Sequence, residues 1–312
     1  MVWDLLRRKN RYELAEDVIG FKSLNVNFYL IGEPGAGNPW TIIDAGITSS
    51  GKKIIKEAAN LFGKDNPPEA LLLTHGHFDH VGGIPDLLKE WQDLKIYAHP
   101  LEIPYLTGDL NFPPPETVSG SSAIAYLLQL YSGKTLNFSM HVQPLPDGWV
   151  PSLEGWRYIH TPGISPGHVS FFRPKDKVLI AGDLISSRTK SSSISSIFVS
   201  EDQEIQGPPV HYNINHSIVC SSLKKIRSLN PKIAGVGQGR PISEEQLVSG
   251  LDILINVFEK EKLKEEELLT TNGVPDTATK NGHNFRKIGT IASVFSLLAV
   301  SAGLGYYFVK KR

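Results

Sequence analysis

Cysteine is nearly absent from this chain. The single thiol in 312 residues, Cys220, excludes an intrachain disulfide and any cysteine-built zinc knuckle. A metal bound here must be held by histidine and carboxylate. Net charge is absent as well: Lys+Arg and Asp+Glu are both 32. No basic stretch is interleaved with aromatic residues, so a nucleic-acid partner is not expected. Nor does an apolar run precede the first charges in MVWDLLRRKNRYELAEDV, and a secretory leader is not expected either. Apolar residues at 40% and charged residues at 21% are those of a globular chain.

What is present is unevenly distributed. Ile288 to Val309 is 22 residues without a charge. At 1.5 Å per residue a helix of that length spans roughly 33 Å, enough for the hydrocarbon core of a bilayer. Arg286 and Lys287 flank one end, and Lys310, Lys311 and Arg312 the other. Tyr306 and Tyr307 fall where amphipathic rings prefer the interface. Residues 288–309 therefore read as a single-pass C-terminal transmembrane helix with a basic tail, 310–312. It tethers a globular domain of residues 1–269, facing the cytoplasm, through a Gly/Asn/Thr-rich linker, 270–287. Ala299 with Gly303, and Ser301 with Gly305, have a small-residue spacing that can pack two such helices and leaves a homodimer open. VPDTA, Val274 to Ala278, resembles a cell-wall sorting signal, a reading that needs an export signal as well.

Before the tail, short strands alternate with helices. Val26, Phe28 and Leu30 alternate with Asn25, Asn27 and Tyr29 as in a half-buried strand. GEPGAG then joins it to a second strand, WTIID; it lacks the Gly-Lys-Ser/Thr ending of a phosphate loop and reads as a hairpin loop. A helix is expected from Lys52 to Phe62, a strand at Leu71 to Leu73, a helix at Pro85 to Trp91 and a strand at Lys95 to Ala98. Residues 101–150, with Pro113 to Pro115 and a helix around Ile124 to Leu130, read as an insertion over the sheet edge. Strands return at Arg157 to His160, Val169 to Phe172 and Val178 to Ala181, followed by a helix at Ser217 to Leu229 and a strand at Lys232 to Val236. A final helix starts at Ser243, where Gln246 three residues on makes a capping-box signature. Cys220 lies in a helix and reads as a packed thiol.

The chemistry concentrates in THGHFDHVGG, Thr74 to Gly83. Three imidazoles and a carboxylate fall within six residues directly after an apolar strand, and strand ends are where α/β folds place their sites. His75 and His77 are two apart, so an extended backbone points both to one side. Asp79 and His80 follow where the chain turns and face a second position. Imidazole plus carboxylate suits zinc, iron or manganese.

With these residues the sequence resembles the metallo-β-lactamase superfamily, in particular its glyoxalase II-like and lactonase-like hydrolases. The resemblance covers roughly residues 15–258 and rests on HGHFDH, on Asp44 in TIIDAG, on HTPGISPGHVSFF, on LIAGDLI and on GVGQGRPI. It implies an α+β fold, a four-layer αββα sandwich with one or two divalent metal ions, zinc first, at the sandwich edge. On that resemblance His75 and His77 match ligands of one ion, Asp79 and His80 match ligands of a second, and Asp183 bridges them. Asp44 matches a residue that supports the ligands, and Asp79 orients and deprotonates the attacking water. Tyr105 and Tyr126, in the insertion, fall where this family often lines its substrate cleft.

Two positions depart from the pattern. Ile164 stands where the family places the third imidazole of the first ion, and Gln238 where it places an imidazole of the second. Gln238 can offer an amide oxygen, and His168, four residues after Ile164, is a conceivable substitute ligand. His160 reads as a packed strand-end residue. Two function classes follow. One is a hydrolase of a small ester, thioester or lactone. The other is a membrane-tethered binding domain of the same fold without turnover. An iron oxygenase is disfavoured, because that chemistry in the superfamily also uses the missing imidazole.

Overall fold

The computed structural model describes residues 10–112, 137–189, 203–208 and 215–271. Two sheets and two helical layers account for most of them. The first sheet has seven strands in sequence order: β1 (Arg11–Ala15), β2 (Val18–Ser23), β3 (Val26–Ile31), β4 (Thr41–Ile43), β5 (Ala70–Leu72), β6 (Ile96–Ala98) and β7 (Val142–Pro144). The first four strands pair antiparallel, and β4 to β7 pair parallel. The second sheet has five strands in the order β14 (Ile242–Ser243), β13 (Ile233–Gly235), β10 (Val178–Ile180), β9 (Val169–Arg173), β8 (Arg157–His160). A small ribbon pairs β11 (Ser186–Thr189) with β12 (Gln203–Gln206).

Neighbouring residues of the central strands enter different cores, because side chains alternate across a strand. Ile42 and Leu71 face helices α1 (Ser50–Phe62) and α3 (Ile84–Glu90), where Ile54, Ala58, Phe62 and Leu87 are buried. Ile43 and Leu72 face the other way and meet Val169, Phe171 and Ile180 of the second sheet. Phe172 and Leu179, the alternate residues of β9 and β10, pack under helices α5 (His216–Ser228) and α6 (Glu244–Thr271), against Val219, Leu223, Leu247 and Leu251. Three cores between four layers make the expected αββα sandwich of mixed sheets.

The helices start and stop for local reasons. In α1, Ile54, Ala58 and Phe62 recur every four residues and form the buried face. Gly63, at φ 94°, ends the helix with its N–H on Ala59 O. Asn215 caps α5 by accepting the Ile218 N–H at 3.0 Å. The helix carries Cys220 as a buried free thiol.

Several expectations are corrected. β3 is buried along its whole length and not half-buried, because the second sheet covers the face that carries Tyr29. The insertion contributes to the sheet: Val142–Pro144 is its parallel edge strand, and Leu145 and Val150 enter the core between the sheets. Only part of 101–150 is therefore peripheral. GEPGAG joins the antiparallel strands β3 and β4, as a hairpin loop should. Among the described residues no helix is long and apolar enough to cross a membrane. The Ile288–Val309 segment and the Ile124–Leu130 helix lie outside the described residues.

Candidate metal centre

The parallel strands β4 and β5 end side by side, so the residues after them meet at one edge of the sandwich. Asp44 follows β4 in the left-handed region, at φ 59°, which aspartate tolerates better than most residues. Its carboxylate organises the next loop. Oδ1 accepts Thr74 N–H at 2.8 Å, and Oδ2 accepts Thr74 Oγ1–H and the Nδ1 side of His80, each at 2.8 Å. With Nδ1 held there, His80 Nε2 is aimed at the site. Helix α2 (Phe78–Val81) carries Asp79 and His80. It packs closely on the loop after Asp44: a methyl group on Gly82 would come 2.5 Å from Thr48 N. That approach explains the Gly-Gly after the motif.

His75, His80 and Asp183 are buried, and one donor atom from each lies within 4.8 Å of the others. His77 lies beside His75, with Nδ1 at 3.1 Å from His75 Nε2, but outside that mutual distance. Asp183, in the 3-10 turn Gly182–Leu184 after β10, presents Oδ1 at 3.3 Å from His80 Nε2 without the alignment of a hydrogen bond. Asp79 Oδ2 lies 4.0 Å from the same nitrogen. Gln238 reaches in from the loop after β13. Its Nε2 donates to Asp183 Oδ2 at 3.3 Å and to Asp79 Oδ2 at 3.4 Å.

Three buried atoms here, Asp79 Oδ1, His80 Nε2 and Asp183 Oδ1, have no hydrogen-bond partner among the described residues. Leaving a buried polar atom unmatched costs about 1–3 kcal/mol. Three such atoms at one place, beside two imidazoles and with no sulfur ligand, fit a divalent cation of the zinc, iron or manganese kind.

The electrostatics are those of mutually dependent groups. Burial and the neighbouring imidazoles hold His75 well below the usual histidine range. Burial disfavours charge on His80, but the carboxylates of Asp183, Asp44 and Asp79 outweigh it and hold that ring well above its usual range. Burial pushes Asp79 up to about 6, with His80 opposing and Asp183 adding to the rise. Burial acts on Asp183 in the same direction, but the nearer His80 dominates and keeps it ionised. The two carboxylates thus part ways according to their distance from one imidazole.

Other predicted residues are placed differently. Ile164 is buried in the outer core with Val219 and Leu223. His168 is buried beside the centre, but both its nitrogens are engaged: Nδ1 lies 3.0 Å from Thr161 O and 2.9 Å from Thr161 Oγ1, and Nε2 accepts Asp183 N–H at 3.2 Å. Burial lowers it to about 3. His160 packs as expected, stacked on His99 at 4.3 Å with Nε2 on Pro166 O. Tyr105, on helix α4 (Ile103–Thr107), stacks on Phe112 at 4.1 Å, and Phe112 stands edge-on to His77 at 4.6 Å. Tyr126 lies outside the described residues.

Two residues were missed by sequence reasoning. Glu102 is fully buried and accepts Gly76 N–H at 2.8 Å, Ser165 Oγ–H at 2.7 Å and Gly167 N–H at 2.7 Å. It ties the peptide between His75 and His77 to the loop ahead of His168. Asn27 fixes the Gln238 loop: its N–H donates to Gly237 O, and its Nδ2 donates to Val236 O and Gly239 O, all at 2.8 Å. No short-range motif marks either residue.

Comparison with known proteins agrees with this geometry. The family model described as the metallo-beta-lactamase superfamily matches residues 22–237. A Bacillus subtilis protein described as a probable metallo-hydrolase, YflN, is 36% identical over 246 residues, 78% of this chain and 92% of its own length. A second protein of that organism so described, YybB, is 31% identical over 60% of this chain and 76% of its own. Among solved structures, a Cronobacter sakazakii metallo-β-lactamase with a HARLDQ motif superimposes with a TM-score of 0.55 at 17% identity, covering 83% of this chain and 99% of that one. That likeness concerns the fold alone.

Proposed function

The chain belongs to the metallo-β-lactamase superfamily, and from that membership we propose that it is a metal-dependent hydrolase of a small ester, thioester or lactone. The observation that carries this reading is the convergence of His75, His80 and Asp183 on one point, where His80 Nε2, Asp183 Oδ1 and the nearby Asp79 Oδ1 are buried without a hydrogen-bond partner among the described residues. A zinc ion held there, when bound, brings the pKa of its water toward neutrality and polarises the electrophile.

The protein's own groups do the rest. His75, His77, His80 and Asp183 hold the ion, and Asp44 keeps His80 Nε2 directed at it. Asp79 is the proton carrier: it is buried beside the ligands, and its Oδ1 has no hydrogen-bond partner among the described residues, as a general base needs. It takes a proton from the water at that atom and returns it to the leaving oxygen or sulfur. Phe112 and Tyr105 form a flat apolar wall beside His77, against which the acyl part of a small substrate lies. Residues 288–309 anchor this domain at a membrane, a reading supported by their 22 uncharged residues between basic flanks.

The competing reading is a binding domain without turnover. It draws on Ile164, which is buried in an apolar core where the family resemblance places an imidazole. Metal content and an ester, thioester and lactone panel decide between them. The hydrolase holds tightly bound transition metal, and chelation abolishes its turnover. Turnover confined to the double variant Ile164→His, Gln238→His assigns the natural protein to binding. The anchor is tested by sedimentation: full-length protein pellets with membranes, and a chain truncated after Lys287 does not.

A further inference from the structure

The amide of Gln238 sits on the carboxylate side of the centre. Nε2 donates to Asp183 Oδ2 and Asp79 Oδ2 at 3.3 and 3.4 Å, and Oε1 accepts Asn25 Nδ2 at 3.3 Å. The reverse amide orientation would set an oxygen against two acceptor-only carboxylates and an NH2 group against a donor. The loop is also fixed independently of the amide. Asn27 makes three hydrogen bonds to it, and Tyr29 Oη donates to Val236 O at 2.7 Å.

Two buried carboxylates facing one another require positive charge or donors between them, or one of them must protonate. A second cation would meet this requirement at Asp79 and Asp183. Here two amide N–H bonds occupy the same oxygens. An amide nitrogen has no lone pair to offer a metal, so in this position Gln238 is a donor to the carboxylates and not a ligand. We propose that Gln238 stands in for a second cation, so that the centre takes one ion, within reach of His75, His77, His80 and Asp183. Asp79 then stays off the metal, bridged to Asp183 through the amide and free at Oδ1. This deepens the metallo-hydrolase reading and rests on it for the presence of a metal.

The test uses the full chain, stripped with a chelator and titrated with cobalt(II). Visible absorption is followed, and metal content is measured after desalting. The wild type reaches its endpoint at about one equivalent, the saturation expected of a single site. Gln238→His supplies a ligand and moves the endpoint to about two equivalents. Gln238→Ala still takes up the first ion, because no ligand has been lost. A wild-type endpoint at two equivalents overturns the proposal and leaves the hydrolase reading standing. So does a Gln238→Ala variant that no longer retains the first ion after desalting, which makes the side chain a ligand. A Gln238→His endpoint that stays at one also counts against it. No binding by any of the three proteins overturns the metallo-hydrolase reading together with this one.

Discussion

The buried carboxylate of Glu102 holds three donors from two loops, and one of them is the peptide between His75 and His77. Replacing it by Gln keeps the size but turns one acceptor oxygen into a donor. At least one of the three bonds is then unmatched, a loss of about 1–3 kcal/mol. The expected outcome for Glu102→Gln is a folded protein whose metal affinity falls about 10–100-fold, read by competition with a chelating dye. Unchanged affinity would show that the clamp supports only the fold. His99 makes a different prediction. Burial and the stacked His160 hold it down to about 4, against about 6.5 in an unfolded chain. Between those values the unfolded state takes up a proton that the native state refuses, so stability is present above about pH 6.5 and is lost as pH falls toward 4. His99→Gln should flatten that loss in urea unfolding curves measured at about pH 7 and pH 5. At this scale legibility followed distance along the chain. HGHFDH was readable because its chemistry lies within six residues. Glu102 was not, because its partners lie 26, 63 and 65 positions away. The sequence offers Gln238 as an oxygen donor to metal, whereas in the structure its nitrogen meets the carboxylates.

Strands were placed well by pattern and their environments less so. The apolar runs of β5, β9 and β10 have the composition of strands buried on both faces, and they are. β3 reads as half-buried in the sequence because Asn25, Asn27 and Tyr29 interrupt its apolar residues, yet Asn27 and Tyr29 are buried against the Gln238 loop, where their donor groups meet its carbonyls. Polar residues in a strand are thus no sure sign of water when another loop supplies the acceptors. β7 was lost inside a proline-rich stretch, because three residues without apolar alternation give no strand signal. Two variants follow at this level. Phe171→Ala, which opens the core between the sheets, should cost about 3–5 kcal/mol in urea denaturation, with metal affinity changed far less. Gly237→Ala should do the reverse. Its methyl group would run into Asp183 Oδ1 and come 3.0 Å from His80 Cε1, so the fold persists by circular dichroism while bound metal is lost.

For the molecule as a whole, the centre ties together loops from both sheets, and an ion there must stabilise the native state against unfolding. A metal at about 100 times its dissociation constant adds about 2.7 kcal/mol. For a domain of this size that corresponds to a melting temperature higher by about 5–11 °C. Calorimetry before and after chelation should show that fall, and an unchanged transition would mean that no ion is held by the folded chain. The four-layer order was legible from the alternation of strands and helices together with the family motifs. The packing of each layer was not, because it depends on which face of a strand meets which neighbour. The bonds from Asn27 to the Gly237–Gly239 loop carry a last consequence, for biosynthesis. A strand made early receives the loop that completes the site only after nearly 240 residues have been joined. During translation every histidine of the motif is therefore available long before Asp183 and Gln238 arrive to confine it. Selection of the ion belongs to the finished domain, and an unfinished chain holds the imidazoles without Asp183, the carboxylate on which they converge.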